Sequence, residues 1–168
     1  MPDKSQVIVL IGPMGVGKTT VGRKLAKILE LPFTDTDSLI TDEHGSISEI
    51  FESRGESAFR EIEEIAVKKA LSQPGIVATG GGAVLSERNQ AELGKATVIY
   101  LSTDGKHMGS RLRNGNRPLL KNGLSDWRRI YDSRRSTYEK LADIEVNTSG
   151  QPLAATIAEI REKLDIND

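Results

Sequence analysis

The sequence has no cysteine in its 168 residues. Disulfide bridges, thiolate metal sites and cysteine nucleophiles are therefore excluded. Histidine is also scarce, since His44 and His107 are the only two, and this disfavours a histidine-rich metal site. A chain of this length can bury enough apolar surface to fold without such cross-links.

The sequence also lacks a strong net charge, a long apolar run and a large share of aromatic residues. Lys and Arg number 23 against 24 Asp and Glu, a formal charge of −1, so there is no general attraction to nucleic acid or to an anionic membrane. Aromatic residues make up 4%, which disfavours a stacking surface for single-stranded nucleic acid. The longest apolar run, Val7–Ile11, is too short to span a membrane. Since no secretory signal is recognisable, we expect a cytoplasmic protein with no nucleic-acid or membrane partner.

Apolar runs alternate with helical patterns along the chain, which is typical of proteins built around a parallel sheet. The run Val7–Ile11 is β-branched and continuous, as in a strand buried on both faces. The other predicted strands are residues 33–36, 76–79, 97–101 and 144–146. The predicted helices are residues 21–29, 46–54, 59–70, 125–141 and 153–164, with a break at Gly55 and an apolar face of Leu153, Ile157, Ile160 and Leu164 on the last. We therefore expect one three-layer α/β domain over residues 1–168.

A glycine-rich segment, Gly12–Thr19, lies between the first predicted strand and the first predicted helix. It fits the pattern G-x-x-x-x-G-K-[ST] at every fixed position and in the required context. Its glycines let backbone N–H groups turn inward around an anion, and the N-terminus of the helix favours negative charge. Lys18 can reach the β- and γ-phosphates, and the Thr19 hydroxyl can ligate Mg²⁺. The segment predicts a binding site for a nucleoside triphosphate.

Two aspartates, Asp35 and Asp37, stand at the end of the second predicted strand. If the strand persists that far, both lie on one face of it, at the sheet edge where ligands bind. One carboxylate could hold Mg²⁺ through water, and the other could orient or deprotonate an attacking hydroxyl. A polar turn is an equally good interpretation of the pair. No other predicted strand ends in a suitable acid, so Asp35 is the better candidate for the metal.

Several arginines and a glycine triplet complete the candidate site. Arg117 lies in a segment of about residues 112–124 that is predicted to be a mobile lid, where it could neutralise a transferring phosphoryl group. Arg60 and the consecutive pair Arg134-Arg135 are further candidates, since the planar fork of arginine matches carboxylate and phosphate oxygens, although each could be a surface charge on a helix. Gly80–Gly82 follows a buried strand and allows a ligand to approach the backbone, unless it is a plain turn.

The order and spacing of these motifs resemble those of shikimate kinases. The shared motifs are GPMGVGKTT at 12–20, DTD at 35–37, GESAFRxxE at 55–63, GGG at 80–82, RPLL at 117–120 and RRxxY at 134–138. The resemblance implies a P-loop kinase of the nucleoside-monophosphate-kinase fold, with a five-stranded parallel sheet and a mobile lid. It also implies a monomer that uses Mg²⁺ and ATP to phosphorylate the 3-hydroxyl of shikimate in chorismate and aromatic amino acid biosynthesis.

The resemblance further implies a role for each candidate residue. Thr19 and Asp35 would hold Mg²⁺, and Asp37 would bind the shikimate hydroxyls and position or deprotonate the one that attacks. Arg60 and Arg134 would hold the shikimate carboxylate, oriented by Glu63, beside the backbone of the glycine triplet. The catalytic set would be Lys18, Asp37 and Arg117. The ATP-binding set would be Gly12, Gly15, Val16, Gly17, Lys18, Thr19, Thr20, Arg117 and Gln151, the last near adenine, and the shikimate-binding set would be Asp37, Arg60, Gly80, Gly81, Gly82 and Arg134.

Two departures from the family pattern leave alternatives open. The family usually has R-x-P-L-Y where this chain has Arg134-Arg135-Ser136-Thr137-Tyr138, so Arg135 could replace Arg134. The loop around Gln151 matches only loosely. A gluconate kinase, another small-metabolite kinase and a non-catalytic binding protein of the same fold are the alternative functions.

Overall fold

The structure is a computed structural model that describes residues 6–112 and 120–167. Its strands are β1 (Val7–Ile11), β2 (Phe33–Asp35), β3 (Gly75–Ala78), β4 (Thr97–Ser102) and β5 (Ile144–Asn147). Its α-helices are α1 (Lys18–Leu29), α2 (Thr36–His44), α3 (Ile47–Leu71), α4 (Glu87–Leu93), α5 (Met108–Leu112), α6 (Leu124–Leu141) and α7 (Leu153–Asn167). A short 3-10 helix spans Ala83–Leu85.

The strands form one parallel sheet in the order β2-β3-β1-β4-β5. The central strand β1 pairs with β3 on one side and β4 on the other, so that Val9 lies between Val77 and Val98. After β1 the chain crosses towards β2, whereas after β3 it crosses towards β4. This reversal opens a crevice at the carboxyl ends of the strands, which is where ligands bind in open α/β sheets.

Each face of the sheet is covered by helices. Ile8 and Leu10 of β1 belong to an apolar cluster that includes Leu25 of α1 and Ile160 of α7. Val9 and Ile11, which point the other way, belong to a second cluster that includes residues of α3, α4 and α6. Alternate residues of a strand point to opposite faces, so a continuous apolar strand supplies both layers. The predicted three-layer α/β architecture with five parallel strands is confirmed.

The structure confirms one of the predicted helix limits and corrects two other details. The break expected at Gly55 is confirmed, because this residue has non-helical angles (φ 84°, ψ 170°) at a kink between two helical segments of α3. The second strand ends at Asp35, one residue earlier than predicted, and α2, which the sequence did not predict, begins at the next residue. Leu153, expected on the apolar face of α7, is 39% exposed.

Part of the predicted lid, residues 113–119 with Arg117, lies outside the described residues, and α6 already begins at Leu124. Within the described ranges, no helix combines the length and apolarity needed to cross a membrane.

Candidate functional site

The phosphate loop, residues 12–19, connects β1 to α1 at the carboxyl edge of the sheet. Its backbone has positive φ at Gly12 (150°), Gly15 (79°) and Gly17 (105°), values that glycine adopts at little cost. Because α1 begins at Lys18, the loop presents the N-terminus of a helix, with its backbone N–H groups and positive dipole end. Such a loop is suited to bind an anion.

The Lys18 side chain folds back over this loop. Its Nζ donates hydrogen bonds to the carbonyl oxygens of Gly12 at 2.7 Å and Pro13 at 2.9 Å. The residue is only 9% exposed, so its ammonium group is held at the loop rather than extended into solvent. An anion bound by the loop would therefore lie close to a fixed positive charge.

The Thr19 hydroxyl and the Asp35 carboxylate lie together beside the loop. Thr19 Oγ1 donates to Asp35 Oδ2 at 2.5 Å. Asp35 Oδ1 accepts from the N–H groups of Asp37 at 2.9 Å and Ser38 at 3.3 Å, so it caps the N-terminus of α2. One carboxylate oxygen is thus structural and the other faces Thr19. This pair of hard oxygen donors fits Mg²⁺, which takes few protein ligands and completes its shell with water and phosphate.

Asp35 and Asp37 do not share a strand face as predicted. Since the Asp35 carboxylate caps α2, the chain turns from strand to helix at once, and Asp37 lies in the first turn of that helix. Its carboxylate points to the loop after β3: a Cβ built on Gly80 would lie 3.0 Å from Asp37 Oδ1. The two aspartates therefore face different parts of the crevice, Asp35 the phosphate loop and Asp37 the glycine triplet.

Four charged side chains, Asp37, Arg60, Glu63 and Arg134, surround the glycine loop, residues 80–82, and are called here the charged cluster. Arg60 Nη1 donates to Glu63 Oε1 at 2.8 Å, and its Nη2 donates to an exposed glutamate on the same helix at 3.2 Å. A Cβ built on Gly82 would lie 2.5 Å from both terminal nitrogens of Arg60. The close approach of the guanidinium therefore requires glycine at this position.

Glu63 is the most deeply buried member of the charged cluster, with 1% exposure. Burial raises the pKa of its carboxyl, and the negative charge of Asp37 raises it further. The charge and hydrogen bond of Arg60, and the charge of Arg134, act against this rise in pKa. The cluster therefore combines two acidic side chains with two arginines, and the pKa of Glu63 depends on the charges of the other three.

The two consecutive arginines of α6 have different environments. Arg134 is 6% exposed, and a Cβ built on Gly81 would lie 3.5 Å from its Nη1. Arg135 is 44% exposed and pairs with Asp132 at 3.2 Å, while its guanidinium lies 4.9 Å from the centre of the Tyr131 ring. The structure thus brings Arg134 to the glycine loop and leaves Arg135 at the surface.

A cavity of about 550 Å³ runs from the phosphate loop to the glycine loop. Asp37, Gly80 and Gly81 line one end of it, and Gln151 lines another part of its wall. Gln151 Nε2 donates to the Asn147 carbonyl at 2.8 Å. Among the predicted ATP-binding residues in the described ranges, Gly12 alone does not line the cavity. Those that do are Gly15, Val16, Gly17, Lys18, Thr19, Thr20 and Gln151.

The sequence is similar to known proteins over most of its length. The shikimate kinase family model matches residues 14–165. A shikimate kinase of Rhodococcus jostii is 43% identical over 164 residues, which cover 93% of this chain and 96% of the relative. The chain belongs to the shikimate kinase family. Membership makes it an ATP-dependent phosphotransferase, as the phosphate loop predicts.

Solved structures of a shikimate kinase and of a gluconokinase share the fold of this chain. The shikimate kinase of Acinetobacter baumannii in complex with shikimate matches with a TM-score of 0.92 and 35% identity, over 97% of this chain and 94% of that one. A gluconokinase of Sinorhizobium meliloti matches with a TM-score of 0.58 at 20% identity, over 99% of both chains. The second likeness shows a shared fold only.

Three further residues at the site of this family member were not predicted from the sequence. Arg111 lines the cavity and donates from Nη1 to the Gly15 carbonyl at 3.0 Å. Trp127 Nε1 donates to the carbonyl of Met14 in the phosphate loop at 2.8 Å. The Tyr138 hydroxyl donates to the Gly81 carbonyl at 2.5 Å. A usable signal existed for α6, because residues 127, 131, 134 and 138 recur at helical spacing and therefore share one face.

Proposed function

We propose that the protein transfers the γ-phosphoryl group of ATP to the 3-hydroxyl of shikimate, giving shikimate 3-phosphate and ADP. One observation carries the proposal: a single cavity joins a phosphate loop to a glycine loop flanked by Asp37, Arg60 and Arg134. Shikimate is a small hydroxylated carboxylate, so it needs cations for its charge and an acid group for its hydroxyls. The match to a shikimate kinase in complex with shikimate supports this choice.

At the phosphate end, the loop backbone and Lys18 would bind the β- and γ-phosphates. Thr19 and Asp35 Oδ2 would hold Mg²⁺, with Asp35 acting through water. When bound, Mg²⁺ neutralises phosphate charge and fixes the phosphate oxygens. Arg117 would add positive charge when the lid closes, and it lies outside the described residues. Gly12, Val16 and Thr20 would bind ATP together with the rest of the loop, and Gln151 would lie near the adenine.

At the other end, the charged cluster would orient shikimate. Arg60 and Arg134 would pair with the carboxylate from two sides of the glycine loop, while Glu63 holds Arg60 at 2.8 Å. Asp37 would accept hydrogen bonds from the ring hydroxyls and position or deprotonate the attacking one. Gly80, Gly81 and Gly82 would contribute bare backbone, since side chains there would meet the cluster.

We infer a single-domain, cytoplasmic monomer that serves chorismate and aromatic amino acid biosynthesis. One sheet with helices on both faces supports the single domain. Sedimentation of the purified chain at its monomer mass of 18.3 kDa tests the oligomeric state, and a mass twice that would overturn it.

The proposed reaction is tested by ADP release from Mg-ATP with shikimate, gluconate, a nucleoside monophosphate or no acceptor. We expect release only with shikimate, and detection of shikimate 3-phosphate by mass spectrometry and ³¹P NMR. Release with gluconate would retain the fold and the phosphate chemistry but would refute the proposed acceptor. No release with any acceptor, despite ATP binding, would favour a non-catalytic protein.

A further inference from the structure

The inward face of α6 connects this helix to both loops of the cavity. Trp127 reaches the phosphate loop, and Tyr138, which is 0% exposed, donates to the Gly81 carbonyl at 2.5 Å. Arg134 lies on the same face, one turn before Tyr138. Met14 and Gly81 also approach each other, because a Cβ built on Gly81 would lie 3.4 Å from Met14 N.

The glycine loop has no side chains with which to fix its own backbone, so its peptide orientations depend on neighbouring groups. In a trans peptide the carbonyl and the following N–H point in opposite directions. The hydrogen bond from Tyr138 to the Gly81 carbonyl therefore sets the direction of the Gly82 N–H. Within the described ranges, neither the Gly81 N–H nor the Gly82 N–H donates to a backbone carbonyl.

Tyr138 also contacts the charged cluster. Burial raises the pKa of the Tyr138 hydroxyl to about 12, and the positive charge of Arg134 acts against this rise. The hydroxyl therefore remains a neutral donor throughout the physiological pH range. Tyr138 and Arg134 thus both lie at the glycine loop: the Tyr138 hydroxyl donates to the Gly81 carbonyl, and Arg134 Nη1 would lie 3.5 Å from a Cβ built on Gly81.

We propose that Tyr138 is a positioning residue for the acceptor: its hydroxyl holds the Gly81 carbonyl, beside the Arg134 guanidinium, in the orientation that binds shikimate. The inference rests on the proposed function, since it assigns Tyr138 to the shikimate end of the cavity. It assigns no part in the phosphate end, where Trp127 makes the equivalent contact from the same helix.

The chain offers a matched control in Tyr131, which is also buried on α6. Its hydroxyl lies 2.5 Å from that of Tyr100 and accepts from the Thr103 N–H at 3.3 Å, in contacts that do not involve the glycine loop. Tyr131→Phe and Tyr138→Phe each remove one oxygen from the same helix. Both variants should fold, because each loses only buried hydrogen bonds of neutral groups.

The test is steady-state kinetics of wild type and both variants, with shikimate and ATP varied in turn and melting temperature measured alongside. Tyr138→Phe should raise KM for shikimate by about 5- to 10-fold, the range expected for one lost hydrogen bond, with KM for ATP within about twofold. Tyr131→Phe should leave both KM values within about twofold at a similar loss in melting temperature. Replacing Tyr138 with 4-aminophenylalanine, which retains a donor, should restore KM for shikimate.

Four results would overturn the inference. Equal changes in KM for shikimate in the two Phe variants would make Tyr138 a purely structural residue. A Tyr138→Phe variant that loses ATP affinity instead would place its effect at the phosphate end. If the wild-type protein did not phosphorylate shikimate, both the proposed function and the inference would be refuted. If the wild type were active and the Tyr138→Phe variant had an unchanged KM for shikimate, only the inference would be refuted.

Discussion

The phosphate loop and the charged cluster are constructed in opposite ways. The loop consists of consecutive residues, 12–19, and presents mainly backbone N–H groups and the start of α1. The cluster takes its side chains from α2, α3 and α6, between positions 37 and 134, and presents charges. The loop is therefore a local structure that a short segment can define, whereas the cluster exists only when the whole fold is formed.

This difference affects how each region responds to substitution. A backbone site tolerates changes in side chains that do not disturb its path, so few residues of the loop are individually decisive. In the cluster, each charge is stabilised by its neighbours, and removal of one leaves a buried charge without its partner. Four predictions test whether the two regions are functionally separable, beginning with the largest effect.

Lys18→Ala should reduce kcat/KM by about 10³-fold, because under the proposed function it removes the cation that would stabilise charge on the transferring phosphoryl group. Shikimate binding, measured by calorimetry without nucleotide, should change by less than about twofold. Lys24→Ala is the control, since Lys24 is exposed on the same helix. An unchanged turnover in Lys18→Ala would remove this lysine from the mechanism.

Asp37→Asn should lower kcat by about 10²-fold while ATP affinity stays within about twofold. The expected loss is smaller than for Lys18, since phosphoryl transfer depends more on charge stabilisation than on proton removal. Nucleotide titration and ADP-release kinetics give the two quantities, and Asp42→Asn, an exposed change on α2, is the control. A collapse of ATP affinity would show that Asp37 belongs to the phosphate end.

Arg134→Ala should raise KM for shikimate by about 30-fold, as expected for the loss of a charge-assisted hydrogen bond to a carboxylate. Arg135→Ala should change it by less than about twofold, because Arg135 is 44% exposed and its ion pair with Asp132 is at the surface. The two variants differ by one position and remove the same charge. If Arg135→Ala had the larger effect, the alternative left open by the sequence motif would be correct.

The smallest expected effect is that of Glu63→Gln, which should change how the free energy of unfolding depends on pH. The pKa of Glu63 is raised in the folded state, so its contribution to stability is fully present below its unfolded pKa and is lost as pH rises through the folded pKa. The free energy of unfolding of wild type, relative to Glu63→Gln, should therefore fall as pH increases, by at most about 1.4 kcal/mol per pH unit.

Urea unfolding at a series of pH values measures this difference, with Glu61→Gln, an exposed change on the same helix, as the control. A difference that grows with pH would mean that Arg60 and Arg134 together outweigh the burial of the Glu63 carboxylate.

The contrast between the two regions also explains what could be predicted from the sequence. The sequence patterns locate all five strands to within one residue. For β1, β3 and β4 the reason is that a strand buried on both faces is apolar throughout. The phosphate loop follows from its spacing between a strand and a helix. By contrast, α2 follows β2 directly, with Asp35 both ending the strand and capping the helix, so no loop residues mark its start.

The charged cluster was located through family resemblance rather than through local patterns. Arg60 has the pattern of a surface ion pair on a helix, and it does bind Glu56, but no local pattern shows that it also meets Gly82. The contacts of Arg111 and Tyr138 with the two loops likewise join residues 96 and 57 positions apart. Such pairings depend on the packing of α5 and α6 against the sheet. The roles assigned to these side chains in catalysis stay predictions.

The hydrogen bond between Trp127 and Met14 makes the protein's own fluorescence useful. Trp127 is the only tryptophan of the chain, is 1% exposed, and donates its indole N–H to a carbonyl of the phosphate loop. Emission of an indole depends on its hydrogen bond and on its local electric field. The emission spectrum of the unlabelled protein therefore reports on a single position in the phosphate loop, and nucleotide titrations can be followed optically without any introduced dye.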